Sequence, residues 1–221
     1  MKIYAIPEIL TCIVFDIDST LYTNQDYAHE QVDVQIRHFA TLMHMTDNDA
    51  REAVNTFRTE YRNTHGKSIS LGNTLAHFGI PISESVKWRE TLIEPARYLK
   101  KDERLASTLA ELAKRYELVA VTNNPVLPAR KTLTVLGVDT FFPVLIGLDT
   151  TGFSKPHRKP FILAAESART PLSECLSVGD RYDIDIALPL ELGMGGVLVD
   201  GVEDVYLLPE LPGICSPFAT P

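Results

Sequence analysis

Cys12-Ile13-Val14-Phe15-Asp16-Ile17-Asp18-Ser19-Thr20-Leu21-Tyr22 is the stretch whose reading decides the fold. Its first four residues form a short β-branched and aromatic apolar run, the pattern of a strand buried on both faces. Residues two apart in a strand point to the same side, so Asp16 and Asp18 project together where the strand leaves the sheet. Two like charges this close repel, and a fold that keeps them there gives them a use or a compensating cation. A lone D-x-D is also how a strand runs into a polar turn, so the rest of the chain has to decide.

The 221 residues, 45% hydrophobic and 23% charged, describe a globular protein with room for one sizeable core and an insertion or second small domain. A formal net charge of -8, with no compensating basic block, argues against a nucleic-acid polymer or an anionic membrane surface as partner and favours small molecules. Cys12, Cys175 and Cys215 are odd in number and lack metal-ligand spacing; the first two sit in apolar runs and read as buried, reduced core residues. Lys2 followed by the apolar run to Phe15 mimics a signal sequence, but Pro7 and Glu8 interrupt it and no small-residue cleavage site follows. With no other membrane-length apolar segment, the expectation is a cytoplasmic protein with no membrane partner.

Residues 23–96 carry helical periodicity and almost no strand signal. Val32, Ile36, Phe39, Ala40 and Met43 mark a first helix from Asp26 onward. Thr46-Asp47-Asn48-Asp49 resembles a capping box, and Ala50, Ala53, Val54, Phe57 and Tyr61 mark a second helix ending near Gly66. A third runs through Leu71, Leu75 and Phe78 to Gly79, and a short stretch around Trp88 lies between Pro81 and Pro95. From Asp102 the rhythm changes to alternating helix and strand, with strands at Leu118–Val121, Val144–Ile146, Cys175–Val178 and Val197–Val199. The expected fold is therefore α/β: a Rossmann-like, doubly wound parallel sheet built from residues 1–22 and 97–221, interrupted by a small all-α domain at 23–96. The Pro-rich end, Leu208 to Pro221, reads as an irregular tail packed on the surface.

In such a sheet ligands bind outside the carboxyl ends of the strands. Asp16 and Asp18 follow the first strand, Thr122 and Asn123 the next core strand, and Gly179 and Asp180 a later one, while Lys155 lies in the loop Thr150–Pro156. Singly, each has a plain reading as a cap or a solvated charge; jointly, they fall at one end of three strands. Asp16, Asp18 and Asp180 would form a hard oxygen site suited to Mg²⁺. Lys155, Thr122 and backbone amides would supply donors opposite, an arrangement that fits a phosphoryl group. Asp16 could then attack phosphorus, and Asp18 serve as general acid and base.

These residues resemble the haloacid dehalogenase (HAD) superfamily of phosphatases. The D-x-D-x-T motif stands as Asp16-Ile17-Asp18-Ser19-Thr20, the second motif as the strand ending in Thr122, the third as Lys155 before Pro156, and the fourth as Gly179-Asp180 through Asp185. The resemblance implies Asp16 as nucleophile, Asp18 as acid/base, and Thr122, Asn123 and Lys155 as the phosphate-binding side. It also implies Mg²⁺ held by the Asp16 carboxylate, the Asp18 carbonyl and Asp180, supported by Asp185 or Asp183. The helical insertion looks like the family's cap domain, and the motif around Asp16 with the segment from Tyr61 to Ile80 looks most like the pyrimidine 5′-nucleotidase branch, where asparagine is common in place of Ser19. Arg62, His65 and Lys67, and likewise His157 and Arg158, read as solvated residues, with substrate binding by the first three as the alternative.

The expected activity is hydrolysis of a small phosphorylated metabolite, a nucleoside 5′-monophosphate foremost. A phosphosugar mutase, or a sugar-phosphate or phosphoglycolate phosphatase of the same fold, is the enzymatic alternative. A phospho-receiver signalling module is the non-enzymatic one, disfavoured because receivers are shorter and lack both the insertion and a second acid two residues on. A true dehalogenase would lack a carboxylate at Asp18.

Overall fold

The computed structural model describes residues 1–66 and 69–214. In order these form β1 (Lys2–Ala5), β2 (Cys12–Phe15), α1 (Gln25–Leu42), α2 (Asp47–His65), α3 (Leu71–His77), α4 (Ile82–Leu92), α5 (Glu103–Leu112), β3 (Glu117–Val121), α6 (Val126–Leu136), β4 (Val144–Ile146), α7 (Leu148–Thr151), α8 (Arg158–Ser167), β5 (Cys175–Gly179), α9 (Ala187–Glu191), β6 (Gly195–Leu198) and α10 (Val202–Val205). They separate into two compact units: Met1–Asn24 with the chain from Pro95 on, and Gln25–Glu94.

The first unit is a mixed α/β body around a six-stranded sheet in the order β1-β6-β5-β2-β3-β4. β2 lies at its centre, parallel to β3 on one side and β5 on the other. All four of its residues are buried, as a strand covered on both faces must be. Cys12 and Val14 join Val119, Val121, Ile146, Phe161 and Ala164 in one cluster. Phe15, on the opposite side of the pleat, meets Phe142 edge to face at 5.9 Å. From β2 the chain builds outward through β3 to β4, then returns to the other side of β2 with β5 and β6. That reversal leaves a crevice at the carboxyl ends of β2 and its neighbours.

The sheet departs from an all-parallel expectation at one edge, where β1 pairs antiparallel with β6. Three of its four residues are exposed, so it carries neither alternation nor a continuous buried run. Of the C-terminal segment, residues 208–214 pack onto the body, and 215–221 lie outside the described residues. Leu208 and Ile214 are buried, and the Tyr116 hydroxyl donates to the Ile214 carbonyl at 2.7 Å. Cys12 and Cys175 are buried and reduced, facing each other across β2 and β5. Cys215 lies outside the described residues.

In the second unit, Ile36, Phe39, Ala40, Ala50, Val54, Leu75 and Trp88 pack into a separate core. Thr46 Oγ1 accepts from Asp49 N at 3.2 Å, capping α2, and Gly66 closes the helix with φ 68°. The stretch around Trp88 is a full helix, α4, packed through Trp88. Val32 and Met43 lie exposed, and α1 buries Gln31, Asp33 and Gln35 beside Ile36 and Phe39 instead. Asp33 accepts from Arg51 at 2.6 Å and from Arg37, so its charge is paired where it is buried. Arg62 and His65 are exposed, with the His65 ring stacked on Tyr61; Lys67 lies outside the described residues.

Candidate active site

The turn after β2 explains how one short stretch presents two carboxylates. Asp16 N donates to the Val178 carbonyl at 2.9 Å, continuing the ladder one residue beyond the strand. The chain then coils: Leu21 N donates to Ile17 O at 2.9 Å, and Ser19 sits in the left-handed region at φ 61°. Coiling brings residues four apart together and gives each aspartate a hydroxyl partner. Thr20 Oγ1 lies 3.4 Å from Asp16 Oδ2, and the Tyr22 hydroxyl donates to Asp18 Oδ1 at 2.6 Å.

The Lys155 ammonium is buried and donates to Asp16 Oδ1 at 2.6 Å and to Asp185 Oδ1 at 2.7 Å. Its backbone is fixed by Asn123, whose Oδ1 accepts from Lys155 N at 2.6 Å while Nδ2 donates to Lys155 O at 3.2 Å. Asn123 thus engages the lysine's main chain. Its neighbour Asn124 reaches Asp18 Oδ2 at 2.9 Å, and Thr122 Oγ1 approaches the same oxygen at 3.3 Å.

After β5 the chain makes one π-helical turn, Tyr182–Ile186, which turns Asp185 inward and leaves Asp183 exposed. Ser177 Oγ donates to the Asp185 carbonyl at 2.7 Å, and Arg181 N donates to Asp185 Oδ2 at 3.1 Å. Asp185 lies so close to the end of β5 that a Cβ on Gly179 would fall 2.4 Å from its own, so glycine is required there for space.

Carboxylate oxygens of Asp16, Asp180 and Asp185 lie within 4.8 Å of one another. Burial first, then Asp16 and Asp185, push the Asp180 carboxyl up to about 6, with Arg181 opposing. Asp185 is raised by burial and by Asp16 against the pull of Lys155. Burial acts to lower Lys155, but the carboxylates of Asp16 and Asp185 outweigh it and hold the ammonium above its ordinary value. Three acids against the Lys155 ammonium and the more exposed Arg181 guanidinium, whose Nε lies 3.7 Å from Asp180 Oδ1, leave a net negative charge, and that buried Oδ1 has no hydrogen bond. An oxygen-only donor set carrying that charge, with one acceptor unused, fits a hard divalent cation such as Mg²⁺.

Asp16, Asp18, Thr122, Asn123, Lys155, Asp180 and Asp185 therefore gather at one end of the sheet, but the carboxylate trio is Asp16, Asp180 and Asp185 rather than the expected Asp16, Asp18 and Asp180, because the Asp18 side chain is held by Tyr22, Thr122 and Asn124; Asp183 is exposed, and Asn123 holds the Lys155 main chain. Sequence reasoning passed over Tyr22 and Asn124. The spacing of four from Asp18 to Tyr22 was the available signal for one; for the other, the doubled asparagine after Thr122 left open which of the pair faces the aspartate.

The chain is 24% identical over 91% of its length to the 5-amino-6-(5-phospho-D-ribitylamino)uracil phosphatase YigB of Escherichia coli, covering 84% of that protein. It is 28% identical over 84% of its length to a glyceraldehyde 3-phosphate phosphatase of Methanopyrus kandleri, covering 82% of that protein. A HAD phosphatase structure from Thermococcus onnurineus shares the fold with a TM-score of 0.60 at 20% identity, over 86% of each chain. The family model for haloacid dehalogenase-like hydrolases matches residues 10–193, and the chain belongs to that family.

Proposed function

We infer that this protein is a Mg²⁺-dependent phosphomonoester hydrolase that works through an aspartyl-phosphate on Asp16 and acts on small phosphorylated metabolites in the cytoplasm. The observation that carries the reading is the cluster of buried Asp16 and Asp185, both bonded to the Lys155 ammonium, with half-buried Asp180, and with Asp18 two residues from the nucleophile. Asp16 and Asp180, with the Asp18 carbonyl and support from Asp185, would hold the cation. When bound, it would neutralise charge on the phosphoryl oxygens and on the attacking carboxylate.

Lys155 and the Thr122 hydroxyl bind the remaining phosphoryl oxygens, which keeps a dianionic group beside an acidic nucleophile. The Asp16 carboxylate oxygen forms a bond to phosphorus as the ester P–O bond breaks. Asp18 gives its proton to the departing oxygen, then takes one from the water that cleaves the acyl phosphate. The helical unit Gln25–Glu94 is read as the cap that excludes water and selects the leaving group.

A nucleoside 5′-monophosphate is the first substrate class. The relative YigB is named for a uracil that bears a phosphorylated ribityl chain, chemically close to a pyrimidine nucleotide. A sugar-phosphate substrate is the second reading, favoured by the glyceraldehyde 3-phosphate phosphatase relative. The test is phosphate release from a panel of nucleotides, sugar phosphates and phosphoglycolate, with and without Mg²⁺. Metal-dependent release from at least one member, lost in Asp16→Asn, is expected. Release from none, or full turnover by Asp16→Asn, overturns the reading.

A further inference from the structure

We propose that Tyr22 and Asn124 are positioning residues that clamp the Asp18 carboxylate from its two oxygens, a step that rests on the acid/base reading of Asp18 given above. Tyr22 is buried at 4% exposure and donates its hydroxyl to Asp18 Oδ1 at 2.6 Å. Asn124 Nδ2 donates to Asp18 Oδ2 at 2.9 Å. Thr122 Oγ1 also reaches Oδ2, at 3.3 Å; in the proposed mechanism it turns to phosphate, while Tyr22 and Asn124 stay on the acid.

An aspartate just past a strand has two free side-chain torsions, and Asp18 is only half-buried, so packing alone does not fix its plane. Two donors on opposite oxygens do fix it, because rotating the carboxylate about either torsion stretches at least one bond beyond hydrogen-bonding range. The donors come from separate segments, the coil after β2 and the loop after β3, so the plane is set by the core of the sheet rather than by one flexible loop. Asn124 is itself anchored there: its N–H donates to Thr122 Oγ1 at 3.1 Å and its carbonyl accepts from Leu148 N at 3.0 Å.

Of the two steps at which Asp18 acts, departure of the leaving group is the one that separates one ester from another. As Asp16 oxygen bonds to phosphorus and the ester P–O bond breaks, the Asp18 proton passes to the leaving oxygen, and the electron pair of the broken bond ends on that oxygen as the free alcohol. An alkoxide is a poor leaving group and depends on that proton; a nitrophenolate leaves without it. A slack Asp18 therefore penalises alkyl esters selectively.

The test compares kcat/KM, which reports steps through leaving-group departure, for uridine 5′-monophosphate, or another alkyl monoester from the panel that the wild-type protein turns over, and for nitrophenyl phosphate. Tyr22→Phe keeps the ring in its buried place and removes only the hydroxyl. The expected result is a fall of roughly tenfold to a hundredfold for the alkyl ester and less than roughly threefold for the aryl ester. Asn124→Ala, which leaves Tyr22 untouched, should show the same selectivity should Tyr22→Phe fold poorly. Equal losses on both esters, or no loss on either, by a folded variant overturn the clamp while leaving the phosphatase reading standing. A wild-type protein inert on both esters sinks that reading and the clamp with it.

Discussion

Asp180→Asn makes two opposite demands on stability. The wild-type site holds three carboxylates around the Lys155 ammonium, Arg181 at 3.7 Å from Asp180 offsets them only in part, and the Asp180 carboxyl is pushed up to about 6 chiefly by burial and Asp16. Asparagine keeps the shape and removes the charge. Relief of the strained ionised form should stabilise the metal-free protein by on the order of 1 kcal/mol, after discounting for the solvent that still reaches the group. For a chain of this size that corresponds to a rise of about 2–4 °C in the unfolding midpoint.

Mg²⁺ should act the other way. At a free concentration a hundred times the dissociation constant, binding to the wild-type site contributes about 2.7 kcal/mol, or about 5–10 °C. If the substitution weakens binding a hundredfold, only about 0.4 kcal/mol remains at the same concentration, a shift of about 1–2 °C. Thermal unfolding of both proteins in chelator and across a Mg²⁺ titration reads both effects. A metal-free midpoint that falls in the variant, or a Mg²⁺ shift of wild-type size, would refute the argument that Asp180 is a destabilising ligand held in place for the metal.

Other outcomes follow from local geometry. Gly179→Ala places a methyl on Asp185, whose Cβ and Cγ lie 2.4 and 2.5 Å from the new atom, and should cost about 1–3 kcal/mol in chemical denaturation while shrinking the Mg²⁺ shift. Ser19→Asn, at φ 61°, should raise stability by about 0.5 kcal/mol with turnover retained, since asparagine tolerates the left-handed region better than serine; a loss of stability counts against that account. In the helical unit, hydrogen bonds from Arg51 first, with Arg37 adding, outweigh burial and hold the Asp33 carboxyl below its ordinary value. A depressed carboxylate contributes stability that is complete above the unfolded value, about 3.9, and is lost as pH falls through the lower folded one. Asp33→Asn should therefore unfold more readily at neutral pH and show a shallower decline below about pH 4; parallel acid profiles would count against it.

What was legible in the chain was what strands announce. Polar residues follow directly on the short apolar runs of β2, β3 and β5, which places Asp16, Thr122 and Asp180 at one edge on sequence grounds alone. Contacts made across turns were less legible. The Asp18–Tyr22 hydrogen bond depends on a coil that Ser19 enters at positive φ, and serine does not signal that conformation as glycine or asparagine would. The choice between Asp183 and Asp185 turned on a π-helical turn, whose wider spacing an α-helical pattern does not anticipate. β1 escaped notice because an exposed edge strand of four residues has too little buried surface to write a pattern. The α1 stripe misled at Val32 because a paired Asp33 and two glutamines, not a run of apolar residues, fill the buried face.

The central claim, that Asp16 carries the phosphoryl group, is tested most directly by acid-quenching the working protein with Mg²⁺ and a phosphomonoester radiolabelled at phosphorus. The account predicts an alkali-labile label on the peptide that contains Asp16, absent in Asp16→Asn. Label released as free phosphate at full rate, with none on the chain at any quench time and turnover intact in Asp16→Asn, would contradict it.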